Sequence, residues 1–298
     1  MTSNALISIA AGLAFLITSI CAFITLRTKN LASLRDKSDG RSIGGPALGA
    51  GIAVGLCIAN INPFIAAGTA FIFTIGFLDD LFNLSPLKKL LGQGIAAGIA
   101  TIGLGGIAAL SICGVHVSVG SWGPIFAFFW ILALTNGMNL IDGLDGLAVG
   151  VSIPPTLGLL LIAMLLGDRS DSIIGAAIFG GLAGFYPWNR FHARLLLGDT
   201  GAELIGYLLA ITSLRVITFD GDVFPILPIS FFFALPIVDT IFAVLRRTYH
   251  HRAVFQGDRG HIHHRVKRRI GEKRATVTLS LLSLLSTGIG IILWLRGF

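Results

Sequence analysis

The sequence predicts an all-α, polytopic integral membrane protein with about ten transmembrane helices and a small periplasmic hairpin. Hydrophobic residues make up 54% of its 298 positions and charged residues only 12%, which is about half the charged share of a soluble domain. Mean hydropathy is +0.84. Apolar runs close to the roughly 20 residues that cross a bilayer recur along the whole chain.

The apolar runs predict ten spans within a single membrane domain, residues 1–298. The first run lacks the basic residues that precede the apolar core of a cleaved signal peptide, so it is expected to remain as a helix. Residues 111–121 alternate apolar and polar side chains and predict the hairpin. The predicted spans cover residues 4–26, 43–59, 63–81, 88–110, 122–140, 146–166, 172–187, 201–217, 223–245 and 277–296.

The basic residues predict the orientation of these spans. With the N-terminus outside, 19 of the 22 Lys and Arg residues fall in cytoplasmic segments and three fall outside. This asymmetry is typical of a bacterial inner-membrane protein with cytoplasmic loops rich in positive charge. The same asymmetry explains the net charge of +7 as attraction to the lipid bilayer, so no nucleic-acid partner is expected.

Four polar clusters fall on the predicted cytoplasmic side, although the orientation was set from Lys and Arg alone. They are Asp79-Asp80, the segment 136–145, Asp199 and the segment 261–265. Carboxylates within a membrane protein are costly and usually functional. The coincidence predicts one shared site that faces the cytoplasm.

The segment NGMNLIDGLDGLA (136–148) carries the densest of these clusters. Asn139, Asp142 and Asp145 are spaced by three residues and would share a helical face, and no Lys or Arg lies within twenty residues of the two aspartates. Carboxylate and amide oxygens suit Mg²⁺, which also binds substrate phosphates. A plain turn is the alternative, because Asn, Asp and Gly are turn formers.

The other clusters have alternatives of the same kind. Asp79 and Asp80, taken alone, could be solvated at the interface beside Lys88 and Lys89. Asp199 with Thr200 could cap the eighth span or mark a phosphate-binding helix N-terminus. The final loop, RRTYHHRAVFQGDRGHIHHRVKRRIGEKR, contains histidines that suggest zinc, but it lacks cysteine and is rich in arginine, which favours an anion.

Acidic groups for a metal and basic groups for phosphates, beside a bilayer, favour phosphoryl transfer from a nucleotide-activated soluble substrate to a membrane-embedded acceptor. A secondary transporter is the alternative of another class. Transporter sites lie near the midplane between inverted repeats with broken helices. Here the acids lie at span ends and the sequence shows no repeat, so the enzyme is favoured.

At these residues the sequence resembles the polyprenyl-phosphate N-acetylhexosamine-1-phosphate transferases of glycosyltransferase family 4. The matching segments, GFLDD, NGMNLIDGLDGLA, LLLGDTGAELIG and DRGHIHHR, follow the family's order. The resemblance implies Mg²⁺, replaceable by Mn²⁺, and transfer of HexNAc-1-phosphate from a UDP-N-acetylhexosamine to undecaprenyl phosphate with release of UMP. It favours GlcNAc-1-phosphate, with MurNAc-pentapeptide or a deoxy-HexNAc as alternatives. A homodimer is also considered.

The resemblance also implies roles for individual residues. The peptidoglycan-precursor branch of the family has a third histidine at the place of Arg265, so the arginine here favours the N-acetylglucosamine branch. Ala50 and Ala202 depart from the family pattern, and Glu203 has no assigned role. Catalytic roles fall on Asp79, Asp80, His263 and His264, substrate binding on Lys89, Asn136, Asn139, Asp142, Asp145, His261 and Arg265, and metal binding on Asp199 and Asn139.

Two expectations concern the mechanism. Asp239, in the cytoplasmic half of the ninth span, should contact a His or Arg of residues 258–265 and orient His264. The acceptor phosphate has a second pKa near ~6 and is mostly a dianion at neutral pH. Direct attack by this phosphate is therefore favoured, and a covalent aspartyl intermediate is left open.

Overall fold

The computed structural model describes residues 2–28, 40–105, 107–112, 114–218, 223–249 and 260–297. Within these ranges the protein consists of α-helices joined by short strands. The helices are α1 (Ser3–Arg27), α2 (Gly45–Ala59), α3 (Pro63–Phe82), α4 (Pro86–Leu104), α5 (Gly123–Ile141), α6 (Leu147–Leu166), α7 (Arg169–Asn189), α8 (Gly198–Thr218), α9 (Ile226–Phe232), α10 (Ala234–Tyr249), α11 (Ile262–Ile270) and α12 (Glu272–Leu295).

Five of the described helices are long and apolar enough to cross a membrane, namely α1, α3, α5, α6 and α12. A sixth span is formed if α9 and α10, which meet at an angle of 89°, count as one. The other predicted spans are also helical, but α2 is short and α4, α7 and α8 are less apolar. The prediction of an all-α, multi-pass membrane protein is therefore confirmed.

Two predicted spans differ from the helices of the structure in their bounds or continuity. The fourth was drawn to residue 110, but α4 ends at Leu104 and residues Ala109–Ile112 form strand β2. The ninth was drawn as one helix from residue 223, where the structure has a strand and then the break at Phe233. Pro236 lies in the first turn of α10, where its missing N–H costs no helical hydrogen bond.

The short strands form two small sheets at the helix ends. Strand β2 pairs antiparallel with β3 (Val115–Ser118), a hairpin that overlaps the predicted segment 111–121, and parallel with β5 (Val223–Pro225). At the beginning of α2 and α8, β1 (Ser42–Ile43) pairs parallel with β4 (Leu195–Leu196). This second pairing ties the chain before α2 to the chain before α8, beside the polar clusters.

Small residues allow the helices to pack closely, as is usual in membrane proteins. Alanines and a threonine of α1 are fully buried, and Gly180 and Gly184 of α7 lie against the backbone of α1 at Ala11 and Phe15. Helix α8 is buried on all sides from Thr200 to Leu214. A helix buried all round lies at the centre of its bundle, so residues at the start of α8 are held rigidly.

Candidate active site

Two cavities meet at the end of the bundle where α3, α5 and α7 end. The polar cavity is lined by aspartates, asparagines and cations, namely Arg41, Asp80, Asn139, Asp142, Asp145, Asn189, Asp199, Lys267 and Glu272. The second, the α5–α10 cavity, combines apolar walls with Asp79, Lys89, Asn136 and Arg247. Each measures roughly 550 Å³, within the range of small-molecule sites. Asn139 and Asp199 line both cavities.

Asp80 fastens α3 to the beginning of α8. Its Oδ1 accepts a hydrogen bond from the Asp199 N–H at 2.8 Å, and its Oδ2 accepts the Thr200 N–H at 3.0 Å and the Thr200 hydroxyl. A carboxylate at this place satisfies the free N–H groups of a helix start. A Cβ on Gly198 would press on Asp80. The helix is therefore capped by Asp80, and the capping role considered for Asp199 is wrong.

Lys89 lies among three carboxylates, one from α3 and two from α8. Its Nζ is 2.7 Å from Asp79 Oδ2 and 3.0 Å from Glu203 Oε1, and it also pairs with Asp199. Oxygen atoms of Asp79, Asp199 and Glu203 lie within 4.8 Å of one another. Acidic groups so close together need a cation, and Lys89 supplies that charge to this trio.

The aspartates of the NGMNLIDGLDGLA segment lie on a turn, because α5 ends at Ile141. The prediction of a shared helical face for Asp142 and Asp145 is therefore wrong, because both residues lie beyond the end of the helix. Asp145 Oδ1 accepts from Arg41 at 2.7 Å, and its Oδ2 accepts from the Ala193 N–H at 3.0 Å. Asp145 thus has a basic partner in space that its sequence neighbourhood lacks.

Asp142 has no basic partner within the described residues. Burial and, to a smaller degree, the nearby charges of Asp199, Asp80 and Asp145 raise the pKa of its carboxyl to about 8. Asp142 therefore carries little charge at pH 7 unless a cation binds beside it and favours the ionised carboxylate. Together with the neutral oxygen of Asn139, these groups match the oxygen ligands of a divalent cation such as Mg²⁺.

Asp239 holds the N-terminus of α11 through a buried pair of contacts. Its Oδ2 lies 2.8 Å from His261 Nδ1, and its Oδ1 accepts the Ile262 N–H at 2.7 Å. The expected contact with the segment 258–265 is confirmed for the described part, since residues 258 and 259 lie outside it. The expected partner is wrong, because Asp239 contacts His261 and not His264.

His263 lies behind the turn that carries Asp142. It is buried, its ring is 5.7 Å from His261 and 4.1 Å from His264, and both ring nitrogens lack a partner among the described residues. Burial and the neighbouring His264 lower the pKa of His263 to about 4. His263 is therefore neutral at pH 7. A Cβ on Gly143 would collide with its Nε2, so glycine permits this close approach.

The two cavities bring together most of the predicted site residues. His261, His263, His264 and Arg265 do not line either cavity; they lie on or beside α11. Sequence reasoning missed several lining residues, of which Asn189 is buried with its Oδ1 lacking a partner within the described residues. The charged ones among them are Arg41, Arg247, Lys267 and Glu272. Their positions alone gave no signal, because each stands in an ordinary loop or basic segment.

Comparison with known proteins agrees with this geometry. Residues 62–217 match the family described as Glycosyl transferase family 4. An undecaprenyl-phosphate alpha-N-acetylglucosaminyl 1-phosphate transferase of Thermotoga maritima is 29% identical over 285 residues, covering 94% of this chain and 88% of that protein. A phospho-N-acetylmuramoyl-pentapeptide-transferase of Desulforamulus reducens is 30% identical over 236 residues, covering 66% and 70%.

A Bacillus subtilis protein named "Probable undecaprenyl-phosphate N-acetylglucosaminyl 1-phosphate transferase" is 32% identical over 238 residues, or 75% of this chain. The matched region is 64% of that relative's length. The family match covers more than half of the chain and includes Asp79, Asp142 and Asp199. The chain belongs to glycosyl transferase family 4.

Proposed function

We propose that the protein transfers GlcNAc-1-phosphate from UDP-GlcNAc to undecaprenyl phosphate and releases UMP. Relatives with this transfer in their names cover up to 94% of the chain. The observation that carries the proposal is the pair of adjoining cavities with Asn139 and Asp199 in their common wall. A polar cavity suits a nucleotide sugar, and a cavity with apolar walls suits a lipid phosphate. Their junction is where the two phosphates meet.

A divalent cation fits the acidic side of the polar cavity. Asp199 and Asn139, with Asp142 beside them, would hold it. Bound there, Mg²⁺ would supply positive charge for the phosphates and polarise the bond that breaks. The choice of Mg²⁺ over Mn²⁺ rests on the resemblance to the family, in which the acidic residues have this role.

The chain's own residues then have distinct tasks. Lys89 and Arg247 offer positive charge in the α5–α10 cavity, which offsets the repulsion between two anionic substrates. Asp79 and Asp80 keep the site in shape, because their oxygen atoms already accept hydrogen bonds or pair with Lys89. The lipid phosphate is a dianion and attacks without help from a general base.

The site faces the cytoplasm in this proposal, in a single membrane domain of about ten spans. The basic asymmetry of the loops supports that orientation. The β1–β4 pairing and both cavities lie at one end of the bundle. The β2–β3 hairpin lies at the other end, between the last residue of α4 and the first residue of α5. UDP-sugars are made in the cytoplasm, so a site with this orientation faces its proposed donor.

The proposal is tested with purified protein in nanodiscs, undecaprenyl phosphate and Mg²⁺. Labelled UDP-GlcNAc and UDP-MurNAc-pentapeptide are offered separately. We expect UMP and lipid-linked GlcNAc-1-phosphate from the first donor and little product from the second. Transfer from UDP-MurNAc-pentapeptide alone would assign the chain to the other branch. The absence of transfer from any UDP-sugar, with thermal unfolding intact, would refute the proposed activity.

Gly143→Ala should lower kcat/KM by at least about tenfold, because displacing a site residue by a fraction of an ångström impairs alignment. The added methyl group would collide with His263. Gly98→Ala is the control, since no heavy atom lies within 4 Å of a Cβ at that position. If the effect acts through His263, the double variant Gly143→Ala/His263→Ala should have the same kcat/KM as His263→Ala alone. Full activity of Gly143→Ala would show that the position of His263 behind the Asp142 turn does not matter for the transfer.

A further inference from the structure

Glu203 is a fully buried carboxylate that the reaction as described leaves unused. It follows Asp199 by four residues on α8, so both side chains project from one face of the helix. Its Oε1 accepts from Lys89 Nζ at 3.0 Å and from Gln93 Nε2 at 2.8 Å. Its Oε2 has no partner within the described residues. An ionised group at such a place is expensive unless its charge is used.

The contacts of Lys89 indicate that use. An ammonium group has three N–H donors, and Asp79, Asp199 and Glu203 engage Lys89 from three directions. Lys89 can therefore bind a phosphate oxygen only after one carboxylate lets go. Asp199 is the candidate, because its side chain is 34% exposed, against 9% for Asp79 and 0% for Glu203. Asp199 is also the proposed cation ligand.

Glu203 also fixes, through Gln93, the orientation of the Asn136 amide, which lines the α5–α10 cavity. Because Gln93 donates to Glu203, its Oε1 is left to accept from Asn136 Nδ2, at 2.7 Å. The same Nδ2 donates to the Leu132 carbonyl at 2.9 Å. Both amide hydrogens of Asn136 are thereby occupied, so its Oδ1 is the atom left to face the cavity or its contents.

We propose that Glu203 is a positioning residue for binding of the acceptor phosphate. It retains Lys89 beside Asp79 when Asp199 turns to the divalent cation, so that one N–H of Lys89 becomes free for a phosphate oxygen. Lys89 lines the α5–α10 cavity and not the polar cavity. The phosphate concerned is therefore that of the lipid acceptor. This inference rests on the proposed function.

Glu203→Gln tests it, because glutamine keeps the size and one acceptor oxygen but removes the charge. We expect the KM for undecaprenyl phosphate to rise about tenfold, the scale of weakening one charge-assisted hydrogen bond. The KM for UDP-GlcNAc should stay within about twofold, since the polar cavity is untouched. Glu203→Asp keeps the charge and should recover part of the acceptor affinity.

A second measurement does not depend on turnover. Binding of undecaprenyl phosphate to the nanodisc-embedded protein with Mg²⁺, without UDP-sugar, should weaken about tenfold in Glu203→Gln. Asp171→Asn is the matched control, because Asp171 is another buried carboxylate. It pairs with Arg215 at 2.6 Å and lines neither cavity. We expect Asp171→Asn to lower the unfolding temperature and leave acceptor binding unchanged.

The outcomes separate the inference from the activity. If the wild-type protein transfers GlcNAc-1-phosphate and Glu203→Gln binds the acceptor as tightly, the inference fails and the activity stands. A rise confined to the KM for UDP-GlcNAc would also overturn it. Equal changes in both KM values with a lower unfolding temperature would show a structural role only. If no UDP-sugar is a substrate, the proposed activity fails, and the binding measurement still decides the role of Glu203.

Discussion

Replacing Asp199 by asparagine is expected to lower turnover by at least about 100-fold, the scale for losing one electrostatic stabiliser. Asparagine keeps the size of the side chain and removes the charge from the group that lines both cavities. The cap of α8 is provided by Asp80, so the substitution leaves the fold intact. The measurements are kcat at saturating substrates over a range of Mg²⁺ concentrations, and the unfolding temperature.

Asp168→Asn is the control for this prediction. Asp168 caps α7 by accepting the Asp171 N–H at 2.9 Å, and it lines neither cavity. Asparagine is an equally good cap, so turnover should be unchanged. If Asp199→Asn turns over normally with the same Mg²⁺ dependence, Asp199 is not a cation ligand.

The second large effect is the absence of a reaction. In direct transfer, an oxygen of the lipid phosphate bonds to the β-phosphorus of the UDP-sugar while the bond from that phosphorus to the bridging oxygen breaks, and UMP leaves. Labelled UMP should therefore not exchange into UDP-GlcNAc unless undecaprenyl phosphate is present. A covalent route would have Asp79 or Asp80 attack first. Both are engaged, Asp79 by the Leu84 N–H at 2.7 Å and by Lys89.

Asp79→Asn and Asp80→Asn should each lower turnover by about 100-fold while UDP-GlcNAc still binds. The two variants differ in stability. An asparagine at position 80 turns an NH₂ group toward donors of α8, so Asp80→Asn should lower the unfolding temperature more than Asp79→Asn does. Exchange in rigorously delipidated protein, abolished by either substitution, would establish the covalent route instead.

Much of the fold was predictable because the apolar length that a bilayer requires is visible in a sequence. Apolar length gave most of the long helices to within a few residues, for example 63–81 against Pro63–Phe82. The break at Phe233 interrupts a single apolar run, and length alone cannot reveal it. The signal was available in the repeated Leu-Pro of ILPISFFFALPIVD, since both prolines lie in the first turn of a helix, where proline is best tolerated.

The candidate site divides in the same way. Residue type and spacing led to Asp79, Asn139, Asp142 and Asp199, because oxygen-rich motifs in an apolar chain are conspicuous. The pairings were not predictable from one sequence. Arg41 meets Asp145 only through the packing of α2 against α7 and α8, and the choice of His261 over His264 by Asp239 depends on how α11 starts. Such contacts depend on the tertiary arrangement and have no local pattern.

The contacts that build the site have a consequence for the order in which the protein is made. Lys89 pairs with Asp199, which follows it by 110 residues, and Asp80 accepts from Thr200, which follows it by 120 residues. Until α8 has entered the membrane, a nascent chain carries Asp79 and Asp80 without most of these partners. A ribosome-bound chain that ends before Gly198 should be loosely packed and degraded readily by membrane proteases, and supplying α8 to α12 as a separate fragment should protect it.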